Sequence, residues 1–335
     1  MQKIKGVNLG GWFVLERWMK NSLFENITSS RDETGFVLNH PKAKETLEKH
    51  WETWITLEDF KWLKEQRINA VRIPIPWWLL DDQPYISPLQ YIKKALDYAK
   101  ETNILVMLDL HTAPGCQNGF DNGGIEGVID WPKDSKNIQL TIERLGFIAK
   151  ELGCHEAVYS IEVLNEPHFT IDLNLIQKFY VDSYHEIRKY TDKEIVFHDS
   201  FRAKDLSWEA FFQENKFINV AFDLHLYHCF EAFLTHGTPL THVNEIMNVR
   251  IPLIQRLMKL TRVYVGEWSL GIRKDTLIKD EGFDFENFYK MIASLQLYAY
   301  TYASGYYFWS YKIEHEGKYH NWDFRSLVNG GILNL

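Results

Sequence analysis

Cysteine is scarce in this sequence. Cys116, Cys154 and Cys229 are the three in 335 residues, an odd number too small to build a disulfide framework. Positive charge is also short. Lys and Arg total 37 against 45 Asp and Glu, the formal net charge is −8, and no basic stripe runs along any segment. That balance argues against nucleic acid or an anionic membrane as a partner. No apolar run is long enough to span a bilayer. The stretch from Met1 to Asn8 lacks the charged-then-apolar pattern of a leader and runs straight into a strand-like segment. A cytoplasmic location is therefore the expectation, unless a leader was removed before residue 1. Linkers, internal repeats and low-complexity tracts are missing as well, so one domain over residues 1–335 is expected.

What is present fits a large packed core. Hydrophobic residues make up 45% of the chain and charged residues 24%, and the length suits one α/β barrel or two ordinary domains. Aromatic residues reach 15%, with 12 Trp, 17 Tyr and 21 Phe. They fill a core, and they also suit a site that stacks against flat apolar faces. Short apolar runs recur at 4–9, 70–73, 104–110, 157–164, 195–197, 220–224, 263–266 and 305–309. Helix-like patterns lie between them at 57–65, 89–100, 138–151, 173–190, 243–260 and 285–300, with a poorly patterned one near 208–214. In the second of these, Leu89, Ile92, Leu96 and Ala99 recur at three- and four-residue steps. Strands apolar on both faces, each followed by a helix, indicate a parallel sheet with helices outside. Eight such units predict an α/β fold, a single (β/α)8 TIM barrel with its site at the C-terminal ends of the strands. An open, doubly wound sheet is the alternative, but no glycine-rich phosphate loop follows any run to give it its usual function.

Polar residues close most of these runs. Arg72 ends the second; Asp109 and His111 end the third; Asn165-Glu166-Pro167 follows the fourth. Asp223, His225, Tyr227 and His228 close the sixth, Glu267-Trp268 the seventh and Trp309 the eighth. On a parallel barrel these residues converge at one mouth. Two carboxylates there, Glu166 and Glu267, have a definite use in glycoside hydrolysis. One protonates the departing oxygen, and the other, ionised, attacks the anomeric carbon or guides water to it. Their mutual repulsion and differing surroundings can supply the two protonation states. In this arrangement Asn165 could bond a sugar 2-hydroxyl, Tyr227 could position Glu267, Arg72 could keep it charged, and Trp309 could floor a sugar ring. Each motif alone has a plainer reading. Glu before Pro is often a solvated loop carboxylate, and Arg72 could pair with any core acid. His111, His198, His225 and His228 could be metal ligands, but His-x-x-His on a loop is permissive and no further set completes a site. Neither cofactor nor metal is expected.

At these residues the chain resembles family 5 of the glycoside hydrolases, in particular its exo-β-1,3-glucanase branch. The resemblance runs through Gly6-Val7-Asn8-Leu9-Gly10-Gly11-Trp12-Phe13-Val14-Leu15-Glu16, Asn69-Ala70-Val71-Arg72-Ile73-Pro74 and Asp109-Leu110-His111-Thr112-Ala113-Pro114-Gly115. It continues through Gln117-Asn118-Gly119-Phe120-Asp121-Asn122, Asn165-Glu166-Pro167, His225-Leu226-Tyr227 and Gly266-Glu267-Trp268-Ser269. It implies Glu166 as acid/base and Glu267 as nucleophile of a retaining β-glycosidase that removes terminal β-linked glucose from a β-glucoside or β-glucan oligosaccharide. It further implies that Arg72, His111, Asn165, His225, Tyr227 and Trp309 line the subsite of the sugar released. Glu16, Asp121 and Asn122 would bind hydroxyls on the non-reducing side, and Phe120 and Phe230 would clamp the next sugar. After Ser269 the chain reads Leu270-Gly271-Ile272-Arg273, without the Thr-Asp-Cys common in secreted fungal members. The leaving-group side is therefore open. A diglycosidase, an aryl or alkyl β-glucosidase, an endo-acting β-glucanase with an open cleft and a catalytically silent carbohydrate-binding barrel stand as alternatives. The oligomeric state is not legible.

Overall fold

A computed structural model describes residues 3–25, 27, 30–80, 82–273 and 283–335. Eight parallel strands close on themselves in chain order: β1 (Ile4–Asn8), β2 (Ala70–Ile75), β3 (Leu105–Leu110), β4 (Val158–Glu162), β5 (Glu194–His198), β6 (Val220–His225), β7 (Arg262–Trp268) and β8 (Gly305–Phe308). The ring shuts where Ile4 and Val7 of β1 pair with Gly305 and Phe308 of β8. This is the (β/α)8 barrel that the alternation of runs predicts, and the open-sheet alternative falls.

The period-two alternation of a strand sets the bore in layers. Ile4, Ala70, Met107, Val196, Ala221, Tyr264 and Tyr307 form an apolar plug inside the ring. Two residues further along their strands, and so on the same inner side, come Arg72, Asp109, His198, Asp223 and Gly266. The chain thus switches from apolar to charged within one step toward the carboxyl ends. Gly266 is required in that layer, because a Cβ there would lie 1.9 Å from Asp223 Oδ2. Outside, helices over Leu57–Glu65, Leu89–Thr102, Ser135–Glu151, Leu173–Arg188 and Phe285–Ala299 cover the barrel, close to their sequence-read bounds.

Three segments differ from the sequence reading. The fourth strand stops at Glu162, and Val163-Leu164 already bend away to deliver Glu166. The connection from β1 to β2 carries helices Glu33–Asn39 and Ala43–Thr53, which the pattern hides: the second buries only Leu47, His50 and Trp51 among many charges. The stretch at 243–260 is not one helix. It runs as α-helix over Pro239–Asn244, a π-helical turn over Glu245–Arg250, and α-helix again over Ile251–Leu257. Pro252 explains the break. It has no N–H to give and its ring would collide with the carbonyl of Asn248 in a continuous α-helix, so the chain widens by one residue. Ile251 N–H accordingly reaches back five residues, to Ile246 O. No helix among the described residues is long and apolar enough to cross a membrane.

Candidate active site

Arg72 is fully buried and organises the carboxyl end of the barrel. Its Nη2 lies 3.1 Å from Asp109 Oδ2, its Nε 2.6 Å from Glu162 Oε2 and its Nη1 3.0 Å from Glu267 Oε1. The remaining donors reach Asn8 Oδ1 at 3.1 Å and Asn165 Oδ1 at 2.8 Å. Burial disfavours this charge, but the three carboxylates outweigh it and hold the guanidinium well above the usual arginine range. The bond from Arg72 also fixes the Asn165 amide: its oxygen faces the arginine, and its NH2 points away, 3.4 Å from His111 Nε2. His111 is set by Asp109 Oδ2 at 2.5 Å from its Nδ1 and stacks parallel to Trp309 at 5.6 Å.

Glu267 ends β7 and accepts from Arg72 Nη1 and from the Tyr227 hydroxyl at 2.6 Å. Glu166 accepts from Asn122 Nδ2 at 3.0 Å and from His225 Nδ1 at 2.7 Å. Its backbone is left-handed, with φ +46°, a conformation that a non-glycine residue keeps only when its surroundings impose it. They do so on both sides. Gln117 Nε2 donates to Asn165 O at 2.9 Å, and Ser200 Oγ donates to Pro167 O at 2.6 Å. The same His225 Nδ1 stands 3.4 Å from Glu267 Oε2, so the facing oxygens of the two glutamates are at most about 6 Å apart. Retaining glycosidases place the pair roughly 5–5.5 Å apart and inverting ones roughly 6.5–9.5 Å. The bound excludes the wider spacing for these oxygens.

Protonation follows from the partners. Burial works against a charged His225, but Glu267, Asp223 and Glu166 hold it well above the usual histidine range, so both of its nitrogens are donors. Burial pushes Glu267 up, as does Glu166, against the pull of His225 and Arg72. Burial also pushes Glu166 up, but His225, Asn122 and His111 pull it below the usual carboxylate range. A proton donor at Glu166 beside an ionised Glu267 needs the opposite order, so the proton has to reach Glu166 from its hydrogen-bond partner. Glu267 is held by Arg72, whose charge is permanent. Glu166 is held by an imidazole that can pass its proton across 2.7 Å, leaving neutral His225 and a protonated Glu166.

The glutamates open into a cavity of about 1000 Å³. Tyr227 and Trp309 line its depth, the latter only 3% exposed; Phe120 and Phe230 stand at the mouth, 40% and 72% exposed. Glu16 and Asp121 also line it. Glu16 is 5% exposed and accepts from Trp18 Nε1 at 2.8 Å; burial, then the Asp121 charge, push its carboxyl well up. Asp121 Oδ2 is buried without a hydrogen bond, 4.0 Å from Arg31 Nη2, and burial raises this carboxyl too. Two adjacent acids with unspent acceptors suit a neutral, hydroxyl-rich group. The structure thus brings all the sequence-read site residues to one mouth: Arg72, His111, Asn165 and His225 beneath the cavity, the others on its wall. Sequence reasoning missed Trp18, Phe169, Phe201 and Trp322, which share that wall, and Glu162 below Arg72. Glu162 had a signal, since it stands two residues from inward Ser160 in a strand and four before Glu166.

The histidines of the described residues are poorly arranged for a metal centre. Glu166, His198 and His225, and likewise Glu162, Asp223 and His225, cluster closely enough to be considered. Most of their ligating atoms are already engaged, Glu162 Oε1 and His198 Nε2 being without a hydrogen bond. Ser200 N–H gives to His198 Nδ1 at 2.9 Å, which leaves the proton on Nε2, and His225 uses both nitrogens on carboxylates. Asp223 Oδ1 accepts from Gly266 N at 2.6 Å, and Glu162 Oε2 faces Arg72. A cation there would also sit against the guanidinium. The three cysteines are free, with Cys116 buried beside the loop after β3 and Cys229 half-buried.

Comparison with known proteins agrees with this geometry. The model of the family described as Cellulase (glycosyl hydrolase family 5) matches residues 32–313. A glucan 1,3-beta-glucosidase from Blumeria graminis is 33% identical over 378 aligned residues, covering 99% of this chain and 87% of the relative. Among solved structures, a rutinosidase from Aspergillus niger superposes with a TM-score of 0.81 at 19% identity, over 98% of this chain and 97% of that one. An endo-beta-1,4-glucanase from Xanthomonas axonopodis pv. citri gives a TM-score of 0.59 at 17% identity, over 96% and 92%. At such identities the two structures share the fold.

Proposed function

The chain belongs to glycosyl hydrolase family 5, and from that membership we propose that it removes a terminal β-linked glucose from β-glucosides or β-glucan oligosaccharides, with Glu267 as nucleophile and Glu166 as acid/base. The observation that carries the assignment is the unequal support of two glutamates that share one imidazole nitrogen. Arg72 and Tyr227 steady negative charge on Glu267, while Glu166 is hydrogen-bonded to an imidazole that can give it a proton.

In the first step a Glu267 oxygen bonds to the anomeric carbon as the bond to the aglycone oxygen breaks, and Glu166 gives that oxygen its proton. In the second, Glu166, now a carboxylate, takes a proton from water, whose oxygen displaces Glu267 and restores the β-configuration. Asn165, its NH2 directed away from Arg72, is placed to bond the 2-hydroxyl, and Trp309 to cover one ring face. Glu16 and Asp121 receive the hydroxyls of the non-reducing end, with Asn122 beside them. Phe120 and Phe230 flank the leaving group.

Azide separates the two roles. Glu267→Ala should lose turnover on every substrate and yield α-glucosyl azide from an activated glucoside. Glu166→Ala should keep fast glycosylation with acidic phenol leaving groups and yield β-glucosyl azide. The reverse pattern exchanges the roles; no azide product from either variant removes both. A second reading, in which the aglycone is aryl or alkyl or the released unit is a disaccharide, draws on one observation. The cavity of about 1000 Å³ exceeds what one hexose fills, and its outer wall is aromatic. Relative turnover of a nitrophenyl β-glucoside, a nitrophenyl β-diglucoside and laminaribiose distinguishes these substrates.

A further inference from the structure

We propose that Arg250, carried on the π-helical turn behind β6, is the positioning residue that holds the Tyr227 hydroxyl on Glu267. Tyr227 lies two residues beyond the end of β6, in a loop that no strand pairing fixes except the bond from Leu226 N–H to Glu267 O at 2.9 Å. One guanidinium grips three consecutive residues of that loop. Arg250 Nη1 donates to Leu226 O at 3.1 Å and to His228 Nε2 at 2.9 Å, and Nη2 donates to Tyr227 O. The side chain is 3% exposed and does not reach the cavity wall, so it acts on the substrate only through what it holds.

The grip extends inward. Because His228 accepts at Nε2, its proton is on Nδ1 and points to His242 Nδ1 at 3.1 Å. His242 is fully buried in the helix before the turn, so the loop is tied to the turn through Arg250 and to that helix through the imidazole pair. Burial and the Arg250 charge keep both imidazoles neutral, His242 pushed down to about 4. Glu245 Oε1, 3.5 Å from Arg250 Nε, begins the same turn.

The turn aims the arginine. A continuous α-helix would advance each residue about 100° around its axis, and the extra residue forced by Pro252 changes the direction in which the side chains of the turn point. A hydrogen bond of 2.6 Å between a phenol and a carboxylate is lost on a shift of about 1 Å. Release of this loop would therefore remove the Tyr227 donor from Glu267 while Arg72, His225 and Glu166 stay held by the barrel.

This inference rests on Glu267 being the nucleophile, and a double-mutant cycle tests the two separately. Tyr227→Phe should lower kcat by on the order of 10-fold to 10²-fold and move the acid limb of kcat/KM to higher pH, because Glu267 loses a donor to its charged form. Arg250→Met should reproduce both effects with little change in KM, and Arg250→Lys should recover part of the loss. In the Tyr227→Phe background, Arg250→Met should cost less than about 2-fold more. If the two losses multiply, or if Arg250→Met moves kcat without moving the acid limb, Arg250 does not act through Tyr227. If Tyr227→Phe itself changes neither quantity, the nucleophile assignment fails instead. Should Arg250→Met not fold, as judged by its thermal transition, the same cycle with Arg250→Lys decides by the same additivity.

Discussion

Replacing Arg72 by methionine keeps much of the side chain's bulk and removes the fixed cation shared by Asp109, Glu162 and Glu267. All three carboxylates lie within 3.1 Å of the guanidinium, and none has an exposed side chain to turn toward water. Removing one partner of a buried ion pair costs about 3–5 kcal/mol, because the other charge stays buried without compensation. With three acids and the amides of Asn8 and Asn165 also losing a donor, the upper end of that range applies. A domain has only about 5–15 kcal/mol in total. The cost must depend on pH. Burial already pushes Glu162 and Glu267 above the usual carboxylate range against the pull of Arg72, and without Arg72 their folded-state pKa values rise further above the unfolded values of about 4. The stability such groups contribute is present below the unfolded pKa and is lost as pH rises through the folded one. The gap between Arg72→Met and wild type should therefore widen from pH 5 to pH 8. Urea unfolding followed by tryptophan fluorescence, at both pH values and with unchanged m, measures it. A gap that is constant or narrows toward pH 8 would show that Arg72 is not what keeps these carboxylates ionised.

Two further outcomes concern buried acids elsewhere. Glu33 accepts from Leu15 N–H at 2.9 Å, and burial pushes its carboxyl up to about 8, so wild type should lose stability as pH rises from about 4.5 through 8. Glu33→Gln should flatten that fall in urea midpoints; an unchanged slope refutes it. Glu16→Ala and Asp121→Ala should each reduce turnover of a simple glucoside by on the order of 10²-fold, since each leaves a sugar hydroxyl unpaired in a closed pocket. Wild type should release glucose from a laminarin oligosaccharide without an early ladder of intermediate lengths, and a ladder with near-normal variants means an open cleft.

The barrel was legible because its strands are apolar on both faces and its longer helices repeat at three and four residues. The mouth was legible because Arg72, His111, Glu166, His225, Tyr227, Glu267 and Trp309 each stand at or just past the end of an apolar run. What stayed hidden depends on contacts distant in sequence. Phe169, Phe201 and Trp322 are unremarked aromatics until three different loops fold over one cavity. Glu162 carries a period-two signal in its strand, but its pairing with Arg72, 2.6 Å away, shows only in three dimensions. The break at 245–250 did have a local cause, since Pro252 stands inside the expected helix and the apolar period alone does not register a missing N–H. The helices after β1 carry too few apolar positions to show a stripe.

The seam between β1 and β8 has a consequence for the chain while it is being made. Asn8 donates to Gly266 O at 2.8 Å and accepts from Arg72, while Ser310 Oγ bridges Asn8 O and Gly10 N at 3.0 Å each. The first strand is thus fastened to residues that leave the ribosome some 300 positions later. At about 5–20 residues per second, β1 waits roughly 15–60 s for its second neighbour. Throughout that interval the growing sheet has two raw edges, the places where strands of other nascent chains can add. The segment that ends the wait also brings Trp309. A chain cut short before residue 305 would keep an unclosed sheet and would lack Trp309.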